Sequence, residues 1–158
     1  MQGRAPIIRL IDCHVAREGN QGYEFLLLRR ASGRVYAGDW RMVAGKLEAG
    51  EAAWQACLRE LREETELVPL RLLAVPYVNR FYEWEADRIN DIPVFVAVTG
   101  QVEPVLDSEH SEHRWLSPAH ALPLLPWPGQ RDGLRAAHRL LTEDLALQRH
   151  LEIELQTA

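Results

Sequence analysis

The feature that most constrains this chain is a set of three glutamates, Glu60, Glu63 and Glu64, spaced i, i+3 and i+4. On a helix these side chains project from neighbouring points of one face. Each pair of like charges this close costs about a few tenths of a kcal/mol when exposed. A bound Mg²⁺ or Mn²⁺ would offset that cost, because these hard ions prefer carboxylate oxygens. The triplet alone is also compatible with a solvated helix face.

The residues around the triplet favour the metal site. The segment starts at Gly45, continues with Glu51 after five residues and with Arg59 after seven more, and ends at Leu67. It resembles the signature of the Nudix hydrolases, which reads glycine, five residues, glutamate, seven residues, Arg-Glu, an aliphatic residue, any residue, Glu-Glu, any residue, glycine and an aliphatic residue. Every fixed position matches except the last glycine, which is Glu66 here.

The resemblance implies an α/β protein of the Nudix type, an α/β/α sandwich with a central mixed β-sheet. It implies one domain over residues 1–158, with the signature at 45–67. In that family the segment forms a loop, a helix and a loop that bind one or more divalent ions. We therefore expect Mg²⁺, or alternatively Mn²⁺, as the cofactor.

Carried over residue by residue, the resemblance gives Gly45 a metal-binding backbone carbonyl. It makes the carboxylates of Glu60, Glu63 and Glu64 metal ligands. Arg59 and Glu51 would brace the helix and orient those carboxylates. These positions form the core of the expected catalytic site.

A further acid of the family commonly lies a few residues before a strand that contains tryptophan. Three acids compete for that place: Asp107, Glu109 and Glu112. Glu109 is the expected metal ligand because it precedes the segment Arg114-Trp115-Leu116. A cation lowers the pKa of bound water, and a nearby carboxylate can accept the proton. Glu60 and Glu63 are the first candidates for this base, with Glu109 left open.

The chain departs from the family pattern at two places. Glu66 replaces a glycine that would close the helix in a left-handed conformation, so either the turn is built differently or it costs on the order of 1–2 kcal/mol. Before the segment the family commonly has Trp-x-x-Pro-Gly-Gly, whereas residues 40–45 keep only the tryptophan and one glycine. Lys46 comes directly after Gly45, and it is expected either to contact a phosphate or to be a solvated loop residue.

Apolar periodicity and turn residues predict the remaining elements. Strands are expected over 7–16, 23–30, 40–44, 70–78, 92–99 and 114–116, helices over 51–64, after Ser117-Pro118 and over 129–154, and loops over 31–39 and 100–113. Residues 79–91 are expected to form a loop or a hairpin tip. In the first helix, Trp54, Leu58, Leu61 and Thr65 form a stripe that should face the core.

Composition limits the partners. The 158 residues suit a single core, and the net charge of -5 argues against long nucleic acid as the main partner. No apolar run reaches the ~18 residues of a membrane span, and the start of the chain is a poor signal peptide. Cys13 and Cys57 have no metal-ligand spacing and are expected to be reduced thiols. A cytoplasmic protein is therefore expected.

Short matches outside the signature are similar to bacterial Nudix enzymes that cleave dATP or dihydroneopterin triphosphate. They are Arg29-Arg30, Asp39-Trp40, Glu109-His110, Arg114–Leu116 and Trp127–Arg131. They imply a nucleotide or pterin triphosphate, a planar heterocycle that aromatic side chains stack on and phosphates that arginines pair with. The expected substrate contacts are Arg29, Arg30, Trp40, Lys46 and Tyr82.

The sequence leaves three alternatives open. The first is a Nudix enzyme that acts on an ADP-sugar or a dinucleoside polyphosphate. The second is a nucleotide-binding regulatory module that has lost catalysis, although such a module has little reason to retain clustered carboxylates. The third is an unrelated α/β protein with a solvated acidic helix. A homodimer is compatible with the family, and the sequence shows no clear interface stripe.

Overall fold

The structure is a computed structural model that describes residues 7–156. Its strands are β1 (Leu10–Gly19), β2 (Gly22–Arg30), β3 (Trp40–Arg41), β4 (Val43–Lys46), β5 (Arg71–Glu83), β6 (Arg88–Val98), β7 (His110–Leu116) and β8 (Glu152–Ile153). Its α-helices are α1 (Ala53–Thr65), α2 (Pro118–Ala121), α3 (Pro128–Thr142) and α4 (Leu145–Leu151). A 3₁₀ turn over Leu122–Leu124 follows α2.

The strands form one mixed sheet. Its order is β3-β2-β1-β6-β5-β8, with β4 paired to β1 and β7 paired to β2. The pair β1 and β6 is parallel, and the other pairs are antiparallel. This confirms the expected fold class of a mixed sheet with helices.

The side chains of strand β1 enter the core on both faces of the sheet. Because side chains alternate along a strand, Ile11, Cys13 and Val15 pack in the cluster that contains the buried residues of α1. Ala16 packs in the second cluster, with Leu134 and other residues of α3. Helices α1 and α3 therefore cover opposite faces of the sheet, which gives the three layers.

Helix α1 differs from its prediction at the first turn. It begins at Ala53, with Ala52 as its N-cap, rather than at residue 51 after Gly50. Trp54 is exposed, so its place in the predicted core stripe was wrong, whereas Leu61 and Thr65 are buried as expected. The buried face of the helix also contains Ala56, Cys57 and Glu64.

Residues 79–91 form the end of a long hairpin. Strands β5 and β6 pair through Glu83 and Arg88, so only the four residues between them form the tip. The pairing register shifts between Ala74 and Val78, next to Pro76, which lacks an N–H to donate to the ladder. Exposed aromatic and charged side chains hid the strand pattern in the sequence.

The predicted helix over 129–154 is two helices and a strand. Helix α3 ends at Thr142, and the chain turns through Glu143 and Asp144 before α4 begins. The side-chain N–H of Gln148 donates to the Leu140 carbonyl at 3.0 Å, which fastens α4 back onto the end of α3.

Strand β7 also begins within the predicted loop over 100–113, at His110. In the stretch 7–156, no helix is both long and apolar enough to cross a membrane.

Candidate metal and substrate site

Arg59 links the start of the signature segment to the carboxylates of α1. Its Nε–H donates to Glu51 Oε2 at 2.8 Å, and Nη2–H donates to Glu51 Oε1 at 2.9 Å and to the Lys46 carbonyl at 2.8 Å. Its Nη1–H donates to Glu60 at 2.9 Å and to Glu63 at 3.2 Å. The hydrogen bonds from Arg59 hold the pKa of Glu51 below its usual range. The loop before α1 and the acidic helix face therefore form one braced unit.

Gly45 is the next-to-last residue of β4, the strand that faces this unit. A Cβ atom built on Gly45 would overlap the carboxyl group of Glu60. The absence of a side chain thus lets the Glu60 carboxylate lie directly against the backbone of β4. The backbone carbonyls of β4 and this carboxylate are oxygen donors of the kind that hard cations select.

Glu64 is the most buried acid of the three, at 4% exposed. Burial raises the pKa of Glu64 to about 9, and the positive charge of Arg41 opposes this while the charges of Glu60 and Asp107 add to it. Its Oε2 atom has no hydrogen-bond partner among the described residues. Burial likewise raises the pKa of Glu60. A buried, unpaired carboxyl oxygen of this kind requires an explanation, and a cation is one that fits.

The loop before β7 brings two further acids to the same place. Glu109 pairs with Arg30 at 3.4 Å and with Arg34 at 3.8 Å. The Asp107 carboxylate lies 2.8 Å from Nδ1 of His110. The third candidate, Glu112, instead pairs with Arg29 on the neighbouring strand.

These acids line one end of a continuous cleft of about 1720 Å³. The acids at that end are Glu60, Glu63, Glu64, Asp107 and Glu109, and Gly45 lies beside them. Within residues 7–156, no group of three or more acid, imidazole or thiol side chains has a preformed metal-ligand arrangement. Several of these carboxylates are paired with arginines instead: Glu60 and Glu63 with Arg59, and Glu109 with Arg30. The set of oxygen donors fits a hard divalent cation, provided that Arg59 and Arg30 release their partners.

The residues expected to contact substrate are divided between three places. Arg30, Lys46 and Tyr82 line the cleft, and the Tyr82 hydroxyl also donates to Asp87 on the hairpin tip. Trp40 lines a side niche of about 90 Å³ that shares residues with the cleft. Arg29 does not line the cleft; it donates to the Gly38 carbonyl and pairs with Glu112.

Sequence reasoning missed a second polar group in the cleft, on the side of the sheet that α3 covers. Its members are Asp12, Arg41, Asn79, Trp127 and Gln130. The signal available for Asp12 was a single acid inside an apolar strand, which is rare in a core unless the acid is paired. The others carried no such signal, because only the fold brings them together.

Comparison with known proteins agrees with this geometry. Residues 9–145 match the family model of the NUDIX domain. The chain is 33% identical over 136 residues to an octanoyltransferase of Myxococcus xanthus, covering 84% of this chain but only 37% of that protein. It is 26% identical to the asymmetrical bis(5'-nucleosyl)-tetraphosphatase of Sus scrofa, covering 80% of this chain and 86% of that one.

A solved structure among those that match also bears on the fold. The dihydroneopterin triphosphate pyrophosphohydrolase of E. coli superposes with a TM-score of 0.67 at 21% identity, covering 84% of this chain and 98% of that one. At this identity the similarity establishes the fold alone. The match to the family model extends over most of the chain and includes the whole signature segment. The chain therefore belongs to the Nudix family.

Proposed function

We propose that this chain hydrolyses a diphosphate bond in a nucleoside triphosphate or a related nucleoside diphosphate compound, by attack of water on phosphorus. The observation that carries the proposal is the buried, unpaired Oε2 of Glu64 beside Glu60, where Gly45 leaves room for a carboxylate against the backbone. The oxygen donors would come from Gly45, Glu60, Glu63 and Glu64, with Glu109 from the loop. The expected ion is Mg²⁺ or Mn²⁺.

A divalent cation bound there would neutralise phosphate charge and lower the pKa of a bound water. The protein's own part is to hold and release its carboxylates. Arg59 keeps Glu60 and Glu63 in place through hydrogen bonds of 2.9 and 3.2 Å. A carboxylate released from such a bond can accept the proton of the attacking water. Glu60 and Glu63 remain the first candidates for this base.

The phosphates would extend from the acidic end of the cleft toward its cationic residues. Arg30 and Lys46 line the cleft beside the acids. Arg30 is paired with Glu109, so recruitment of Glu109 to a cation would free Arg30 for a phosphate. Exchange of these partners links binding of the ion to binding of the substrate.

Two substrate classes have specific support. A dATP-like or dihydroneopterin triphosphate-like substrate is supported by the short matches outside the signature. A dinucleoside polyphosphate is supported by the 26% identity to a tetraphosphatase over 80% of the chain. It is also supported by the cleft of about 1720 Å³, which exceeds the roughly 300–1,000 Å³ of ordinary small-molecule pockets.

A hydrolysis screen with Mg²⁺ and with Mn²⁺ tests the proposal. The substrates are dNTPs, NTPs, dihydroneopterin triphosphate, ADP-ribose and dinucleoside polyphosphates, with phosphate and pyrophosphate measured separately. Glu64→Gln should abolish turnover while the far-ultraviolet circular dichroism spectrum is kept. Glu143→Gln, an exposed glutamate at the end of α3, is the matched control and should leave turnover unchanged. Full activity in Glu64→Gln would overturn the proposed site.

A further inference from the structure

Asp12 is a buried carboxylate on the floor of the cleft that the metal site does not use. It is 5% exposed and lies at the opposite side of β1 from the residues under α1. Asn79 Nδ2 donates to its Oδ2 at 3.0 Å. Burying an acid is unfavourable unless its charge is compensated, and a carboxylate oxygen can accept more than one hydrogen bond. Asp12 therefore keeps acceptor capacity for a partner in the cleft.

Two other polar groups in the cleft lack partners. Nε of Arg41 and Oε1 of Gln130 are buried and have no hydrogen bond among the described residues. Both residues line the cleft and also the side niche of about 90 Å³. Buried polar groups are nearly always paired, so an unpaired donor and an unpaired acceptor in one place indicate a polar ligand.

Aromatic side chains wall the same end of the cleft. Trp127 is 51% exposed and meets Tyr36 edge to face, with ring centroids 6.1 Å apart. Both line the cleft and the niche. Gly129, two residues after Trp127, packs so closely on Asn79 that a Cβ there would overlap the amide. A flat ring that stacks on an aromatic side chain suits a site of this shape.

This polar end is joined to the acidic end through the strand pair. Asp12 pairs with Ala44, the residue before Gly45. The charge of Arg41 acts on both Asp12 and Glu64. A substrate with phosphates at Gly45 and a heterocycle at Asp12 would thus occupy one continuous cleft.

We propose that Asp12, held by Asn79, is a specificity-determining residue that selects a heterocycle with a ring N–H beside an exocyclic amine, as guanine and 2-amino-4-oxopteridines have. Such an edge donates two parallel hydrogen bonds to the two oxygens of a carboxylate, the geometry that makes paired bonds strong. Adenine has a ring acceptor beside its amine, so one lone pair would face a carboxylate oxygen. The inference rests on the proposed function for the phosphate end of the substrate.

The test compares kcat/KM for dGTP and dATP in the wild type, Asp12→Asn and Asp132→Asn. The asparagine at position 12 keeps the shape but replaces one acceptor with a donor. We expect the wild type to prefer dGTP, and Asp12→Asn to lower kcat/KM for dGTP roughly 10- to 100-fold with a much smaller change for dATP. Asp132→Asn makes the same change at an exposed position of α3 outside the cleft lining and should keep the wild-type ratio.

A binding measurement separates this inference from the proposed function. Dissociation constants for α,β-methylene analogues of dGTP and dATP, whose bridged α–β link cannot be hydrolysed, are measured with Mg²⁺ present, together with melting curves for each variant. Loss of discrimination in a folded Asp12→Asn supports the inference even if no substrate is cleaved. Asn79→Ser keeps the carboxylate but removes its support, and should lower discrimination by a smaller factor. Discrimination that is absent in the wild type, or unchanged in both variants, overturns it.

Discussion

Arg59 donates hydrogen bonds to both carboxylate oxygens of Glu51, from Nε–H to Oε2 at 2.8 Å and from Nη2–H to Oε1 at 2.9 Å. A planar guanidinium can make this paired contact, whereas the point-like ammonium of lysine cannot. We therefore expect Arg59→Lys to lower kcat roughly 10- to 100-fold, the usual effect of removing support from metal ligands, and to lower Tm. Arg62→Lys, an exposed arginine on the same helix, is the control for steady-state kinetics and melting curves. Full activity in Arg59→Lys would contradict the bracing role.

Gly45→Ala should damage the site through shape alone. The new methyl group would overlap the carboxyl group of Glu60, and forced displacements of this kind cost about 1–3 kcal/mol. We expect a lower Tm in EDTA and a smaller rise in Tm on addition of Mg²⁺, measured by differential scanning fluorimetry. Gly100→Ala is the control, because its Cβ would meet only Leu70 at 4.0 Å. If both variants respond to Mg²⁺ like the wild type, the close approach is irrelevant to the ion.

Glu66 occupies the left-handed position that the family gives to glycine, with φ 59° at the end of α1. Glu66→Gly should therefore raise the free energy of unfolding by about 1 kcal/mol, because it relieves the Cβ strain. Glu66→Ala removes the charge but keeps the strain, so it should behave like the wild type. Urea titrations of the three proteins check this. Equal stabilisation by both substitutions would assign the effect to charge instead.

His14 should make the protein sensitive to acid. Burial lowers the pKa of His14 to about 3, and its Nε2 has no partner among the described residues. Between pH 6.5 and pH 3 the unfolded chain binds a proton that the folded protein does not, so this residue lowers stability as pH falls. The loss should reach about 2 kcal/mol by pH 5. His14→Leu should lose this dependence in urea titrations from pH 7.5 to pH 5; a parallel pH profile would refute the assignment.

Asp12 should act in the opposite direction. Burial raises its pKa to about 6, partly offset by the hydrogen bond from Asn79 and the charge of Arg41. Between pH 6 and pH 3.8 the folded protein binds a proton that the unfolded chain lacks, so this residue adds stability as pH falls. Asp12→Asn should therefore be about 2–3 kcal/mol more stable than the wild type at pH 8, and the difference should shrink toward pH 4. A variant that is less stable at pH 8 would show that the carboxylate is needed for packing.

The sequence predicted the acidic end of the cleft because its residues lie on one short segment. Regular helix geometry turns the spacing of Glu60, Glu63 and Glu64 into a shared face, and Gly45 is a few residues away along the chain. The same periodicity misplaced Trp54, because the first turn of α1 is not covered by the sheet and its apolar residue stays exposed. Spacing predicts a face, and only packing decides how far that face is buried.

The other end of the cleft could not be predicted in this way. Asp12, Asn79 and Gln130 lie on β1, β5 and α3, and they meet only after the sheet has formed. The contact between Asn79 and Gly129 joins residues that are fifty positions apart. The break after Thr142 was missed for a related reason. No glycine or proline marks it, and the hydrogen bond from Gln148 to the Leu140 carbonyl forms only once α4 has folded back onto α3.

The alternation along β1 has a consequence for how such a protein can change. Odd-numbered residues such as Ile11 and Cys13 support the helix that bears the acids, whereas Asp12 and His14 face the other layer. A substitution at Asp12 can therefore alter which molecule is chosen without moving the groups that break the bond. Mutations in the two layers should combine almost additively when they share no partners; Arg41, whose charge acts on both Asp12 and Glu64, is the shared partner to leave unchanged. The choice of substrate and the cleavage of the bond can thus change separately in this chain, because alternate residues of β1 face opposite layers.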